Sequence, residues 1–403
     1  MGRVYLAGVL LCALFLFSCQ TVRFIGREPV VSEDVCCTII YVIHGDGEYL
    51  YHDAGGKAHR ADDEALKEAV SVAERSSCAE VFIFHQKKRP FLFPVNDGRL
   101  YLFRSGRAVL KASYSRAVAK SSREHALVTR HRVTDTPVPG TLVQGTPAPD
   151  TPVQGTPAPR ARNHTSIGPH PQGPVAFEAE ASLYRRYASD SPDHPIFFLY
   201  YGHQIPEFDG RRYHASYPRR SFTIHEFAGG LKRFLTPAEE KFDLVLLSTC
   251  FSGTPGVISA VEPHTRYVIA SPENLHLSYI SSALFRKLDW LETKDLQGFF
   301  LQVASDAFEE LKKNTQTEIT VALYDIEKIS LFLRKAEERY RSMLKGLSSP
   351  DAPGKPEPFD CAEDPVFRDM EMAEGVEIFY SPPRFGKKRE KRSHSGWECW
   401  RAR

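Results

Sequence analysis

The sequence has no excess charge of either sign. Its 52 Lys and Arg residues against 50 Asp and Glu leave a formal net charge of +2, which gives no reason to invoke nucleic acid as a partner. Metal-ligand spacing is missing as well. The eight cysteines include no C-x-x-C pair, and no loop of oxygen ligands occurs at recognisable spacing. Neither a structural zinc nor a calcium site is therefore expected, and no cofactor is implied. The apolar run at the N-terminus, Val4 to Phe17, is about 14 residues long and too short to span a bilayer comfortably. What remains is ordinary globular composition, 42% apolar and 25% charged. Over 403 residues that allows one large domain or two small ones with a sizeable core.

The N-terminus carries an address. Arg3 precedes the apolar run, which closes with Leu16-Phe17-Ser18-Cys19. This resembles a bacterial lipoprotein signal (residues 1–19) in which Cys19 is lipidated; an ordinary secretory signal or an uncleaved anchor is the alternative. Either way the mature chain is expected outside the cytoplasm. It would be anchored by its N-terminal lipid to a membrane facing the periplasm or exterior, or else secreted. A surface disulfide, for instance one involving Cys361 and Cys399, is open in such a compartment.

After a tether over 20–34, strands and helices alternate. Cys37 to Ile43 is a β-branched, apolar strand ending at His44-Gly45-Asp46-Gly47. Ala61 to Ser76 is an amphipathic helix with Ala65, Leu66, Ala69, Val70 and Ala73 on one face. With the strand Glu80 to Phe84 it makes a βαβ unit, hence a parallel pairing. Asn96-Asp97-Gly98 reads as a hairpin turn that pairs Phe91–Phe93 with Leu100–Phe103 on the sheet's antiparallel edge. Residues 133–175 hold two near-copies of a ten-residue Pro/Thr/Gly unit (141–150 and 151–160). This is a solvated insertion within one sheet, open to processing at Arg160 or Arg162.

The alternation then resumes. Strands are expected at Ile196–Tyr201, Phe242–Leu247, Tyr267–Ala270 and Thr317–Leu323. Helices are expected at Phe177–Tyr187, Ile224–Phe234, Gly256–Val261, Ser281–Leu291, Leu296–Lys313 and Ile326–Leu344. The fold class is α/β: a doubly wound, mainly parallel six-stranded sheet with helices on both faces and an antiparallel edge extension. Its two parts are 35–132 and 176–346. The extension 347–403 shows periodicity only over Gly375 to Tyr380 and ends in a basic, solvated tail.

Two apolar runs end in residues that carry chemistry. Phe242 to Leu247 delivers Cys250 to the carboxyl edge of the sheet, and Ile196 to Tyr201 delivers His203 to the same edge if the two strands pair in parallel. A thiol and an imidazole so placed suit acyl transfer: the ring draws off the thiol proton and later protonates the leaving amine. A buried core cysteine is the bland alternative for Cys250. His44, also at a strand end, is the rival base, or else sits in a plain turn.

Three stretches carry a resemblance. They are the strand with His203, FDLVLLSTCFSG followed by Tyr267-Val268-Ile269-Ala270-Ser271-Pro272-Glu273, and the segment Ile319 to Ile329. Together, from Thr38 to about Leu344, the chain resembles the clostripain family of cysteine peptidases, relatives of caspases and gingipains. The resemblance implies a caspase-like sheet and endopeptidase activity on peptide or protein substrates through a Cys250/His203 dyad. It also implies an oxyanion hole from the backbone of Cys250 and of a residue near His203, Gly202 or Gln204. Two positions depart from the family. Gln204 follows the histidine where the family has Gly, and Ser248 stands where an Asp commonly lines a pocket for Arg or Lys. Glu273 or Asp209 are the candidate replacement carboxylates. The alternative reading is a catalytically degenerate, caspase-like lipoprotein that acts as a binding or scaffold module. The oligomeric state is left open.

Overall fold

The computed structural model describes residues 23–24, 35–45, 50–52, 56–86, 97–114, 176–189, 194–206, 222–236, 239–275, 279–290, 295–347, 374–386 and 389. The signal with Cys19, the repeat insertion, Asp209, Cys361, Cys399 and most of the basic tail lie outside the described residues.

Five strands form the parallel centre of the sheet. They are β2 (Cys37–His44), β5 (Ala79–Gln86), β8 (Ile196–Tyr201), β9 (Phe242–Ser248) and β10 (Thr265–Ala270), in the spatial order β5-β2-β8-β9-β10. Every residue of β2, β5 and β8 is buried, as near-continuous apolar runs must be when both faces of a sheet are covered. Successive side chains point to opposite faces. Ile40, Val42, Phe198, Tyr200, Val245 and Leu247 join one core, and Ile39, Tyr41, Phe197, Leu199, Leu244 and Leu246 the other.

The first core is closed by helices α2 (Glu178–Tyr187), α3 (Ile224–Leu231), α4 (Pro255–Val261) and α6 (Ile326–Leu347). The second is closed by α1 (Ala61–Arg75), α5 (Leu296–Asn314) and a tighter 3₁₀ helix over Ala283–Trp290. The strand–helix alternation thus yields the doubly wound arrangement. Two local devices fix elements near the site. Thr223 and Glu226 form a reciprocal capping box at the start of α3. Asp243 Oδ2 accepts the Ile196 N–H at 2.9 Å, tying the starts of β8 and β9 together.

The sheet is larger than six strands. Among the described residues it has ten, with antiparallel additions on both edges. β11 (Ile319–Asp325) runs antiparallel to β10, and β12 (Val376–Ser381) pairs with β11. On the other side β6 (Gly98–Arg104) and β7 (Arg107–Tyr114) follow β5, and Arg23–Phe24, β1, inside the expected tether, adds two residues beside β7. A separate two-stranded ribbon joins β3 (Leu50–His52) and β4 (Ala58–Arg60).

The expected hairpin around Asn96-Asp97-Gly98 is also corrected. Both edges of β6 are occupied, by β5 and β7; Phe91–Phe93 lie outside the described residues. The turn is instead Ser105-Gly106, with φ of 47° and 73°, the left-handed pair that a two-residue hairpin requires. A disulfide joins Cys36 to Cys78, stapling the starts of the parallel neighbours β2 and β5.

Candidate active site

The last rung between β8 and β9 pairs Tyr201 with Ser248. His203 and Cys250 therefore each lie two residues beyond that rung, at the carboxyl ends of adjacent parallel strands. Parallel neighbours are about 4.8 Å apart, so both residues lie just past one sheet edge. Each is half-buried, and Cys250 lies outside the Cys36–Cys78 disulfide as a thiol.

The turn that carries Cys250 is held by the segment after β10. Phe251 sits at φ 54°, a strained conformation for a bulky residue, and its N–H is tied to the Glu273 carbonyl at 3.0 Å. The Gly253 N–H donates to the Ser271 carbonyl at 2.8 Å, and Tyr324 Oη–H to the Gly253 carbonyl at 2.9 Å. A side chain at 253 would collide with the Tyr324 hydroxyl and with the backbone of Pro272, so glycine is required there by close approach. The Ser252 hydroxyl reaches the Leu247 and Thr249 carbonyls at 2.9 and 2.8 Å. Ser271 Oγ both accepts the Glu273 N–H at 3.2 Å and reaches the Glu273 carbonyl at 3.1 Å. Asn274 is thereby delivered to the thiol, and the Cys250 S–H donates to Asn274 Oδ1 across 3.0 Å.

At the same edge a small cleft of about 30 Å³ opens, lined by His44, Gly45, Asp62, Tyr201, Gly202, Ser248 and Tyr279 among others. Tyr201 and Tyr279 meet edge to face, with centroids 6.2 Å apart. Burial pushes the Tyr201 phenol well above its usual pKa, so that wall is neutral. The Ser248 hydroxyl accepts the Ile280 N–H at 2.8 Å, which anchors the neighbouring Tyr279 wall. The carboxylate in this cleft is Asp62, from the first turn of α1, lying directly against Gly45. A Cβ built on Gly45 would fall inside the Asp62 side chain. Glu273 is not among the residues lining the cleft, and its backbone is what the turn uses.

A second support stands behind the tyrosine wall. Glu68 of α1 is buried and accepts from Ser281 Oγ at 2.7 Å and from both the N–H and the hydroxyl of Ser282. Tyr41 Oη lies 3.0 Å from Ser282 Oγ. Burial raises the Glu68 pKa, against the pull of these hydrogen bonds.

His44 has a different setting. It is 2% exposed, with Nδ1 3.4 Å from Tyr200 Oη and Nε2 3.9 Å from Glu180 Oε1. Rings of Phe177, Tyr200 and Phe222 surround it. Those rings belong to the first core, whereas Cys250 packs on the second. Alternation across the pleat thus commits the His44 ring to the face opposite the thiol.

No family model and no curated protein matches the chain. The structure is similar to C11 cysteine proteases. A secreted C11 cysteine protease from Bacteroides thetaiotaomicron, in complex with an irreversible peptide inhibitor, aligns at TM-score 0.43 and 10% identity, covering 77% of this chain and 70% of that one. A structure of the secreted Bacteroides thetaiotaomicron C11 protease "iotapain" gives 0.42 and 12%, over 79% and 72%. An inactive zymogen C11 protease from Parabacteroides distasonis gives 0.40 and 14%, over 78% and 67%.

Asn274, Tyr279 and Asp62 escape sequence reasoning. Asp62 reads there only as one of the acids favouring a helix N-terminus. For Asn274 a signal did exist: β10 is the parallel neighbour of β9, so residues just past its end must lie beside those just past Ser248.

Proposed function

We propose that the chain is a cysteine endopeptidase in which Cys250 is the nucleophile and His203 its base. The single observation that carries this reading is the matched register of β8 and β9, whose ends carry a half-exposed thiol and an imidazole to one sheet edge. The His203 imidazole takes the thiol proton as sulfur bonds to the acyl carbon. The imidazolium then returns that proton to the leaving amine, and water hydrolyses the thioester. The Gly202 N–H is turned to the Ser248 carbonyl at 3.4 Å, so the backbone N–H groups of Cys250 and Gln204 are the oxyanion donors in this reading.

A basic side chain is the substrate group this reading assigns to the mouth of the cleft. Asp62 would meet its cationic head, in place of the carboxylate that Ser248 does not provide, with Tyr201 and Tyr279 moving apart to flank the stem. The Cys36–Cys78 disulfide supports a compartment outside the reducing cytoplasm, in keeping with a cleaved signal and a lipid on Cys19. Peptides bearing a fluorogenic amide after Arg, Lys, Ala or Leu test the reading on chain beginning after Cys19. Turnover that is greatest after Arg or Lys and absent in Cys250→Ala is expected. Equal turnover in Cys250→Ala would refute the nucleophile, and a flat profile would refute the basic pocket.

A further inference from the structure

We propose that Asn274 is a third polar member of this site, whose side-chain oxygen takes the Cys250 S–H and holds the resting nucleophile as a thiol. The inference rests on the assignment of Cys250 as nucleophile and adds a group that touches the reacting atom.

The contact is short for sulfur, 3.0 Å from Sγ to Oδ1, and it is built. Four hydrogen bonds fix the backbone on either side of it: Phe251 N–H to the Glu273 carbonyl, Gly253 N–H to the Ser271 carbonyl, Glu273 N–H to Ser271 Oγ, and Ser271 N–H to Ser252 Oγ. The strained backbone at Phe251 is held by the first of these. Strain retained next to a reactive group is what a positioned side chain leaves behind. An amide oxygen accepts from a thiol and repels a thiolate, so this orientation favours the protonated sulfur. Attack then requires the proton to pass from the Asn274 contact to the His203 ring as the carbon–sulfur bond forms, so the sulfur stays a weak nucleophile until substrate is in place. The titratable groups on the elements around the sulfur are His203 past β8, Glu273 beside Asn274, and Asp62 in the cleft. All three are the same in every variant below.

The test is the pH dependence of Cys250 alkylation by iodoacetamide, with the adduct assigned to Cys250 by mass spectrometry, in wild type, Asn274→Ala and Asn274→Asp. The Ala variant loses the acceptor. Its midpoint should fall and its alkylation at neutral pH should speed up about fivefold, the worth of one net hydrogen bond. The Asp variant puts an anion on the sulfur and should raise the midpoint by about one unit or more. A merely structural asparagine would leave the Asn274→Ala midpoint unchanged, since the added charge raises the Asn274→Asp midpoint in either case. An unchanged midpoint in Asn274→Ala overturns the proposal, as does a raised one, which would mean that the amide donates to a thiolate. Alkylation needs no peptidase turnover, so peptide cleavage by wild type and Cys250→Ala separately reports failure of the underlying assignment.

Discussion

Removing the charge of Asp62 should convert a basic-selective cleft into an unselective one. Its carboxylate is half-buried at the rim of the cleft formed by Tyr201, Tyr279 and Ser248, and a hydrogen bond to a charged group contributes about 1.5–3 kcal/mol. Partial exposure screens the pair and places the effect in the lower half of that range. Asp62→Asn should therefore lower kcat/KM for an Arg peptide roughly 10- to 40-fold, at about 1.4 kcal/mol per factor of ten, and leave an Ala peptide within about twofold. Gly45→Ala should reproduce the loss while keeping the carboxylate in the chain, because its Cβ would displace the Asp62 side chain. Initial rates on paired Arg and Ala peptides read the difference directly. Equal losses on both peptides in Asp62→Asn would mean that the residue supports the fold and does not read substrate, and that result would refute the reasoning.

Three further outcomes follow from the buried groups. The raised Glu68 pKa means that the folded chain holds this proton to higher pH than the unfolded chain. Stability should therefore fall as pH rises from the ordinary carboxylate range through the folded-state value. Thermal midpoints between about pH 5 and about pH 8 should show a flatter slope in Glu68→Gln, and an unchanged slope would exclude Glu68 as the source. Cys36→Ser with Cys78→Ser opens a crosslink between residues 42 apart in sequence; denaturant titration should show a loss of about 4 kcal/mol by loop-closure entropy. His44→Leu removes one polar neighbour of the buried Glu180, which keeps the Tyr114 hydroxyl, at a cost of about 1–3 kcal/mol. At a temperature where it stays folded, however, the variant should still cleave peptide, and complete loss of turnover would return His44 to the mechanism.

How much of this was legible in the chain depends on range. The apolar runs of β2, β5, β8, β9, β10 and β11 have no alternative but burial, and reading them as strands brought the ends at Tyr201 and Ser248 to one edge. The hairpin was misread because Asn96-Asp97-Gly98 is the stronger local turn signal, while Ser105-Gly106 is chosen by the pairing of β6 with β5. Edge strands such as Arg23–Phe24 are too short to announce themselves, and Val376–Ser381 shows only as isolated periodicity. The Cys36–Cys78 bridge depends on β2 and β5 starting level, a matter of register that spacing does not encode. Asp62 meets the site from α1, while Asn274 and Tyr279 both come from the connection after β10, so no local pattern could gather all three.

Covalent labelling with a peptidyl acyloxymethyl ketone ending in Arg, mapped by mass spectrometry, tests the Cys250/His203 pairing most directly. A single adduct on Cys250 that forms in wild type and is lost in His203→Ala is the expected result. An adduct on another residue, or one that forms as fast without the imidazole, would contradict it.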